Sequence, residues 1–197
     1  MRIVALGDGY FDPSKKEKGG QALLLLASFQ DMALEIAMPI FFTVDGDDGT
    51  DRLAQGLRSF PIPELVEIWG IVHAGFNFVD PELLFRLTGI PVIVFQRKLP
   101  DMAAVYGALE RHLEVWKERW KRLSSVSELV PITLNGERAY ARVCGIDLSR
   151  ATRVLERQCL VSSVPEQLRV TRELARGLGR LFELGLGGSL PAHGTGS

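Results

Sequence analysis

The alternation of apolar runs and polar breaks along the chain predicts strands at its start and alternating helices and strands after residue 45. Arg2–Leu6 is a short apolar run stopped by Gly7-Asp8-Gly9, which predicts a strand ending in a loop. Gly7 to Gly20 carries Gly, Asp, Pro13, Ser14 and the charge group Lys15-Lys16-Glu17-Lys18, so it reads as a solvated hairpin-type connection. Gln21–Phe29 reads as a buried strand and Ala33–Val44 as the next, with Gln30-Asp31 turning between them. Pro39 cannot donate to a ladder, so the third strand is bulged or lies at an edge there.

Asp45-Gly46-Asp47-Asp48-Gly49 is a loop, and Leu53, Leu57 and Phe60 then recur at helical spacing over Thr50–Phe60. Leu65–Trp69 reads as a short strand and Gly70–Val79 as a mixed loop holding His73, Gly75 and Asn77. Asp80-Pro81 opens a short helix that Gly89 closes, because Pro suits the first helical position and Gly the left-handed C-terminal cap. Pro91–Phe95 is a continuous apolar run, the signature of a parallel strand buried on both faces. Asp101–Leu123 reads as one long amphipathic helix. Asn135-Gly136 between the alternating runs Val130–Leu134 and Arg138–Val143 predicts a hairpin with a type I′ turn. Ser149–Cys159 and Glu166–Leu184 are two further helices, and Gly185–Ser197 is a low-complexity tail. Three strands followed by helix, strand, helix, strand is the element order of the ribonuclease H-like fold. The expected architecture is a mixed five-stranded sheet with helices on both faces, plus a C-terminal hairpin and helices, forming one domain over residues 1–184. Flavodoxin-like and Rossmann folds would alternate strand and helix from the start.

Composition narrows the class. A length of 197 residues with 46% apolar content suits one folded domain and excludes disorder for its body. The net charge of -1 rules out bulk electrostatics as a route to nucleic acid or membrane, so polyanion binding must come from local patches. Cys144 and Cys159 are too few for a disulfide scaffold and read as small buried hydrophobes. The run Ala22–Ala27 is far short of a bilayer span, and the N-terminal segment lacks a signal-peptide pattern, so a cytoplasmic protein with no membrane contact is expected. A homodimer is expected because paired assemblies are the commonest.

Ribonuclease H-like enzymes gather carboxylates at the ends of the first and fourth strands and beside the first helix, where hard oxygen ligands hold divalent metals. Asp8 follows the first strand, and Asp45, Asp47, Asp48 and Asp51 surround the start of the first helix. After the fourth strand the chain reads Trp69-Gly70-Ile71-Val72-His73, with no acid before Asp80. The Asp-Gly cluster is also ordinary turn chemistry and favours a helix dipole. His73 suits a ligand, a general base or a phosphate contact; Asn77 suits substrate positioning or an Asx-turn. Arg97-Lys98 ends the fifth strand, and Arg169, Arg172, Arg176 and Arg180 share one face of the last helix. Either set can track a phosphate backbone or simply be solvated. Trp116 and Trp120 lie four apart on the long helix and suit packing.

The segments FTVDGDDGT (Phe42–Thr50), GIVHAGFNFVD (Gly70–Asp80), GIPVIVFQRKLPD (Gly89–Asp101) and VPEQLR (Val164–Arg169), in this order, resemble the endonuclease dU family, a mostly archaeal group related to endonuclease V. The resemblance implies a ribonuclease H-like fold and metal-dependent endonuclease action on deoxyuridine-containing or otherwise modified DNA. It implies Mg²⁺ or Mn²⁺ as cofactor, a DNA partner and a thermophilic archaeal setting. It assigns Asp8, Asp45 and Asp48 as the catalytic acids, with Asp8 and Asp45 as metal ligands. His73, Asn77, Arg97, Lys98 and Arg169 are the expected substrate contacts. The family pattern places an acid pair after the first strand and an Asp after the fourth. Here Gly7 replaces the first acid of the pair and Trp69 replaces the later Asp, while Asp8 and the Asp45-Gly46-x-Asp48 element are retained. The alternative is therefore a catalytically degenerate member that binds nucleic acid or a protein partner without cleaving.

Overall fold

The computed structural model describes residues 1–9 and 19–183. Most of the Gly7–Gly20 connection, with its lysines, and the Gly185–Ser197 tail lie outside the described residues.

Strands β1 (Arg2–Asp8), β2 (Gln21–Gln30) and β3 (Ala33–Thr43) form an antiparallel meander. The β2–β3 turn is set by Asp31, which adopts a positive φ of 54°. β3 is an edge strand, so Pro39 costs no interior ladder bond. Helix α1 (Gly49–Leu57) then crosses to β4 (Leu65–Trp69), which runs parallel to β1. Helix α2 (Pro81–Thr88) leads to β7 (Val92–Gln96), parallel to β4. Asp80 caps α2 by accepting from the Glu82 and Leu83 amides, and Gly89 closes it at φ 69°. The hairpin of β8 (Val130–Leu134) and β9 (Glu137–Cys144) turns through Asn135 at φ 49° and Gly136 at φ 78°. Only primed turns need two positive φ values, so the Asn-Gly signal is met. β9 pairs antiparallel with β7, and the hairpin extends the five-stranded core to a seven-stranded sheet of order β3-β2-β1-β4-β7-β9-β8.

Two expectations are corrected. The segment Gly70–Val79 is not simply a loop: β5 (Val72–His73) and β6 (Asn77–Phe78) pair in a small separate ribbon. Its turn carries Ala74 at φ 47° and Gly75 at φ 81°. The single helix Asp101–Leu123 is two helices, α3 (Met102–His112) and α4 (Trp116–Val126). Leu113 is extended at φ -123°, ψ 126°. Its side chain stays buried. The break lets α4 turn back on α3, so that Trp116 and Trp120 both pack edge-on against Tyr106, with centroids 5.3 and 5.1 Å away. These half-buried aromatic contacts offset part of the helical bonding lost at the break.

Alternation along the strands separates two cores. Val4, Leu6, Leu24, Leu26, Phe42, Val66 and Ile68 face α1 to α4. Ile3, Ala5, Ala27, Phe29, Leu65 and Ile93 face α5 (Leu148–Gln158) and α6 (Glu166–Glu183). Period-two parity then fixes the site: Gly7 shares the α6 face with Ile3 and Ala5, and Asp8 shares the opposite face with Val4 and Leu6.

Candidate functional site

The carboxyl ends of the parallel strands β1 and β4 open into two adjoining cavities of about 460 and 490 Å³. Asp8, Val72, Gly75 and Arg172 line both. Trp69, Gly70 and Gln96 also line the first; Gly9, His73 and Arg176 also line the second. This is where open α/β sheets place their ligands, since loops diverge there and leave a crevice.

Gly7 and Trp69, the two positions at which the resemblance leads one to expect acids, lie side by side on one face. Leu6 pairs with Ile68, so Gly7 and Trp69 follow one step further along the adjacent strands. A Cβ on Gly7 would lie 2.8 Å from the Arg172 amide nitrogen and 2.8 Å from the Thr171 carbonyl carbon. The backbone of α6 therefore occupies the space that any side chain at position 7 would need. Trp69 packs edge-on against Phe95 at 5.4 Å, and its other side is covered by the Arg172 guanidinium, 4.5 Å from the ring centroid. The Nε atom of Arg172 is buried without a hydrogen-bond partner among the described residues. A fixed positive charge thus stands beside Gly7 and Trp69, held by the ring quadrupole.

Each candidate acid has its own local partners. Asp8 accepts from Nδ1 of His73, whose ring is buried and packs edge-on against Phe42 at 6.0 Å. His73 Nε2 has no partner among the described residues. Asp45, at φ 58°, accepts from the Phe76 amide at 2.9 Å. Asp48 accepts from the Thr43 amide at 3.1 Å, the Thr43 hydroxyl at 2.7 Å, Asn77 Nδ2 at 2.6 Å and Arg52 Nε at 3.2 Å. Burial pushes the Asp48 carboxyl up, but these hydrogen bonds outweigh it and hold it below the usual carboxylate range. Asp47 pairs with Arg122, and the buried Arg119 donates to the carbonyl oxygens of Gly46 and Phe76. The loop at 45–48 is thereby clasped to the β5–β6 ribbon and to α4. Among the described residues no three His, Cys, Asp or Glu side chains converge as a group that could hold a metal ion.

The expected substrate contacts separate. Asn77 is fully buried. Its Nδ2 donates to the Thr43 carbonyl and to Asp48, and its Oδ1 accepts from the Gly49 amide at 3.0 Å. Its hydrogen-bonding capacity is spent on the fold. Arg169 is forked onto Glu166 one turn away. Arg97 sits 3.9 Å from Glu137, and Lys98 is exposed beyond β7. Of the basic positions noted in the sequence, Arg172 and Arg176 reach the cleft, and only His73 of the five expected contacts lines it. The spacing of the arginine stripe placed all four on one face, but nothing in spacing alone says which turn of α6 meets the strand ends.

The sheet order, the two helical layers and the cleft at the ends of β1 and β4 define a ribonuclease H-like α/β fold. Human endonuclease V superposes with a TM-score of 0.57 at 16% identity, covering 92% of this chain and 85% of that one. Endonuclease V of Ciona intestinalis, solved with a 24mer DNA containing an inosine followed by a ribo-adenosine, gives 0.59 at 11% identity, covering 93% and 86%. A protein of unknown function from Archaeoglobus fulgidus gives 0.74 at 24% identity, covering 88% and 95%. The family model for endonuclease dU matches residues 1–179, and the chain belongs to that family. A UPF0215 protein of Pyrococcus horikoshii is 32% identical over 179 residues, spanning 89% of this chain and 90% of its own length. One from Methanothermobacter thermautotrophicus is 31% identical over 182 residues, spanning 90% and 87%. Family and fold together support a nuclease-like function. No helix among the described residues is long and apolar enough to cross a membrane.

Proposed function

We propose that this chain is a nucleic-acid-binding member of the endonuclease dU family that holds a phosphodiester backbone in the β1–β4 cleft with Arg172 and Arg176, and that lacks the family's metal-assisted hydrolysis. The observation that carries the reading is the Arg172 guanidinium stacked on Trp69 beside the α6 backbone at Gly7. A hard divalent cation needs several oxygen ligands converging on one point. At the two substituted positions this chain offers a glycine pressed against a helix and an indole covered by a cation. Asp45 and Asp48 point their oxygens at Phe76, Thr43, Asn77 and Arg52. The expected Mg²⁺ or Mn²⁺ site built on Asp8 and Asp45 does not fit this donor set. An arginine pair does fit a phosphate backbone, which it can contact by charge-assisted hydrogen bonds.

The test is fluorescence anisotropy with labelled single- and double-stranded DNA, with and without deoxyuridine, alongside cleavage with Mg²⁺ or Mn²⁺. The expected result is salt-sensitive binding, weakened by Arg172→Ala and Arg176→Ala, without metal-dependent cleavage. Cleavage that requires the metal and disappears in Asp45→Ala would overturn it.

A second reading keeps hydrolysis and has one observation in its favour. Asp8 orients the buried imidazole of His73, whose Nε2 is unpartnered and whose residue lines the cleft. An imidazole oriented in this way serves as a general base for a water attacking phosphorus where opening of the cleft admits that water to the enclosed Nε2. Cleavage that persists in EDTA and is lost in His73→Ala selects this reading over the first.

The expected homodimer has an edge to use. β3 is a sheet edge, and Met32, Leu34 and Ile36 at its start are exposed. Light scattering of the native chain should give a dimer mass that Ile36→Lys reduces to a monomer; a monomer from the native chain removes the expectation.

A further inference from the structure

At the opposite end of the sheet lies a third cavity, of about 500 Å³, between the start of β1, the β2–β3 turn, α5 and α6. It is separate from the cleft: from Ile3 to Asp8 the strand runs roughly 17 Å at about 3.3 Å per residue. Three arginines line it, Arg150, Arg153 and Arg157, all from α5 at spacings of three and four. That spacing puts them on one helix face. None of the three forms a salt bridge within 4 Å among the described residues; Arg153 donates to the Ser149 hydroxyl at 3.2 Å and lies near enough to Asp147 to lower its carboxyl. The one acid in the wall, Asp31, is already held by the Met1 ammonium at 2.7 Å.

Two buried carboxamides add a different chemistry. Gln158 is 4% exposed and Gln167 is 2% exposed, and both line the cavity. Gln167 Nε2 donates to the Asp31 carbonyl at 2.8 Å, which fixes the amide and leaves its Oε1 without a partner among the described residues. Gln158 Nε2 donates to the buried Glu67 at 2.6 Å, and its Oε1 is likewise unpartnered. An unmade hydrogen bond at a buried acceptor is costly, so two enclosed ones on residues that line a single cavity point to a ligand that brings donors. The remaining wall is apolar: Ile3, Met32 and Val154. Gln167 belongs to the VPEQLR segment, whose role the cleft does not explain.

We propose that this cavity binds a nucleoside phosphate. Arg150, Arg153 and Arg157 take the phosphate, Gln158 and Gln167 accept from N–H groups of the base, and the apolar wall packs against the ring. The division of labour follows the chemistry of the two halves: guanidinium forks match phosphate oxygens, and neutral amide oxygens match exocyclic amino or ring N–H donors. A bare phosphate would leave both carboxamide oxygens unmet, and a bare nucleoside would leave the arginines unmet.

Isothermal titration calorimetry of the full chain with the four common nucleoside monophosphates, inorganic phosphate and the parent nucleosides tests this. At least one nucleotide should bind one to one, at least tenfold tighter than inorganic phosphate and than its nucleoside. Arg153→Glu and Arg157→Glu, both at exposed positions, should weaken it tenfold or more. Gln167→Leu should weaken the nucleotide but not inorganic phosphate. Arg172→Ala should leave nucleotide binding unchanged while weakening DNA binding at the cleft, so failure here is distinguishable from failure of the DNA reading. No nucleotide binding, equal affinity for nucleotide and phosphate, or loss of nucleotide binding in Arg172→Ala would each overturn the proposal.

Discussion

Glu67 is a carboxyl in the core of the sheet. It sits fully buried on β4, with Gln158 as its hydrogen-bond partner. Burial pushes its carboxyl up from an ordinary 4.5 to about 7, against the smaller downward pull of Gln158. A carboxyl raised on folding adds stability that is complete below its unfolded value and is lost as pH rises through the folded one. Between about pH 4.5 and 7 the unfolded chain binds fewer protons, so stability falls as pH rises. The loss amounts to roughly 3 kcal/mol at about 1.4 kcal/mol per pH unit of difference. Glu67→Gln is expected to remove that slope and to raise the melting temperature at pH 8. A pH-independent melting temperature in the native chain would contradict the assignment. Gly7 acts through space rather than charge. Gly7→Ala should cost roughly 1–3 kcal/mol in urea unfolding, because α6 must move to admit the methyl group. The same change should weaken DNA binding, since Arg172 is carried on the displaced turn.

At the scale of elements, the informative unit is the clasp between the 45–48 loop, the β5–β6 ribbon and α4. Asn77 links β6 to the end of β3 and to the first turn of α1, and Arg119 reaches from α4 to both loops. Asn77→Ala leaves the Gly49 amide buried without its acceptor, which should cost roughly 1–3 kcal/mol. Hydrogen exchange should show the loss as faster exchange at the start of α1 and in the ribbon, while the amides of α5 and α6 stay protected. Uniform loss of protection across both layers would show that the clasp holds the whole sheet rather than one corner of it. The α3–α4 break belongs to the same unit. Only a helix that restarts after Leu113 can bring Arg119 and Arg122 over Phe78 and the loop carbonyls.

For the whole molecule, the near-zero net charge makes the proposed DNA binding a property of one cleft rather than of the surface. Few phosphates are then neutralised, and the salt dependence should be shallow. On duplex DNA, Arg172→Ala and Arg176→Ala should each lower the slope of log K against log salt by about one. A steep slope left unchanged by both substitutions would locate binding elsewhere. The two proposed sites lie at opposite ends of β1, so their variants should act independently.

By itself the sequence determined the fold class and most of its elements, though not the β5–β6 ribbon or the α3–α4 break. Three strands, the helix–strand alternation, the Asn135-Gly136 turn and the Asp80, Pro81 and Gly89 caps are local signals, and local signals survive in sequence because backbone conformation is set by near neighbours. It also determined the family. The site was legible only in part. The carboxylates of Asp45 and Asp48 read as candidate catalytic acids, and the folded chain points them at Phe76, Thr43, Asn77 and Arg52. The stripe on α6 showed four arginines on one face, but its docking against β1 selected Arg172 to cover Trp69. Those outcomes rest on contacts between residues far apart in the chain, and only the packing of α6 on one face and of α4 on the other brings such residues together.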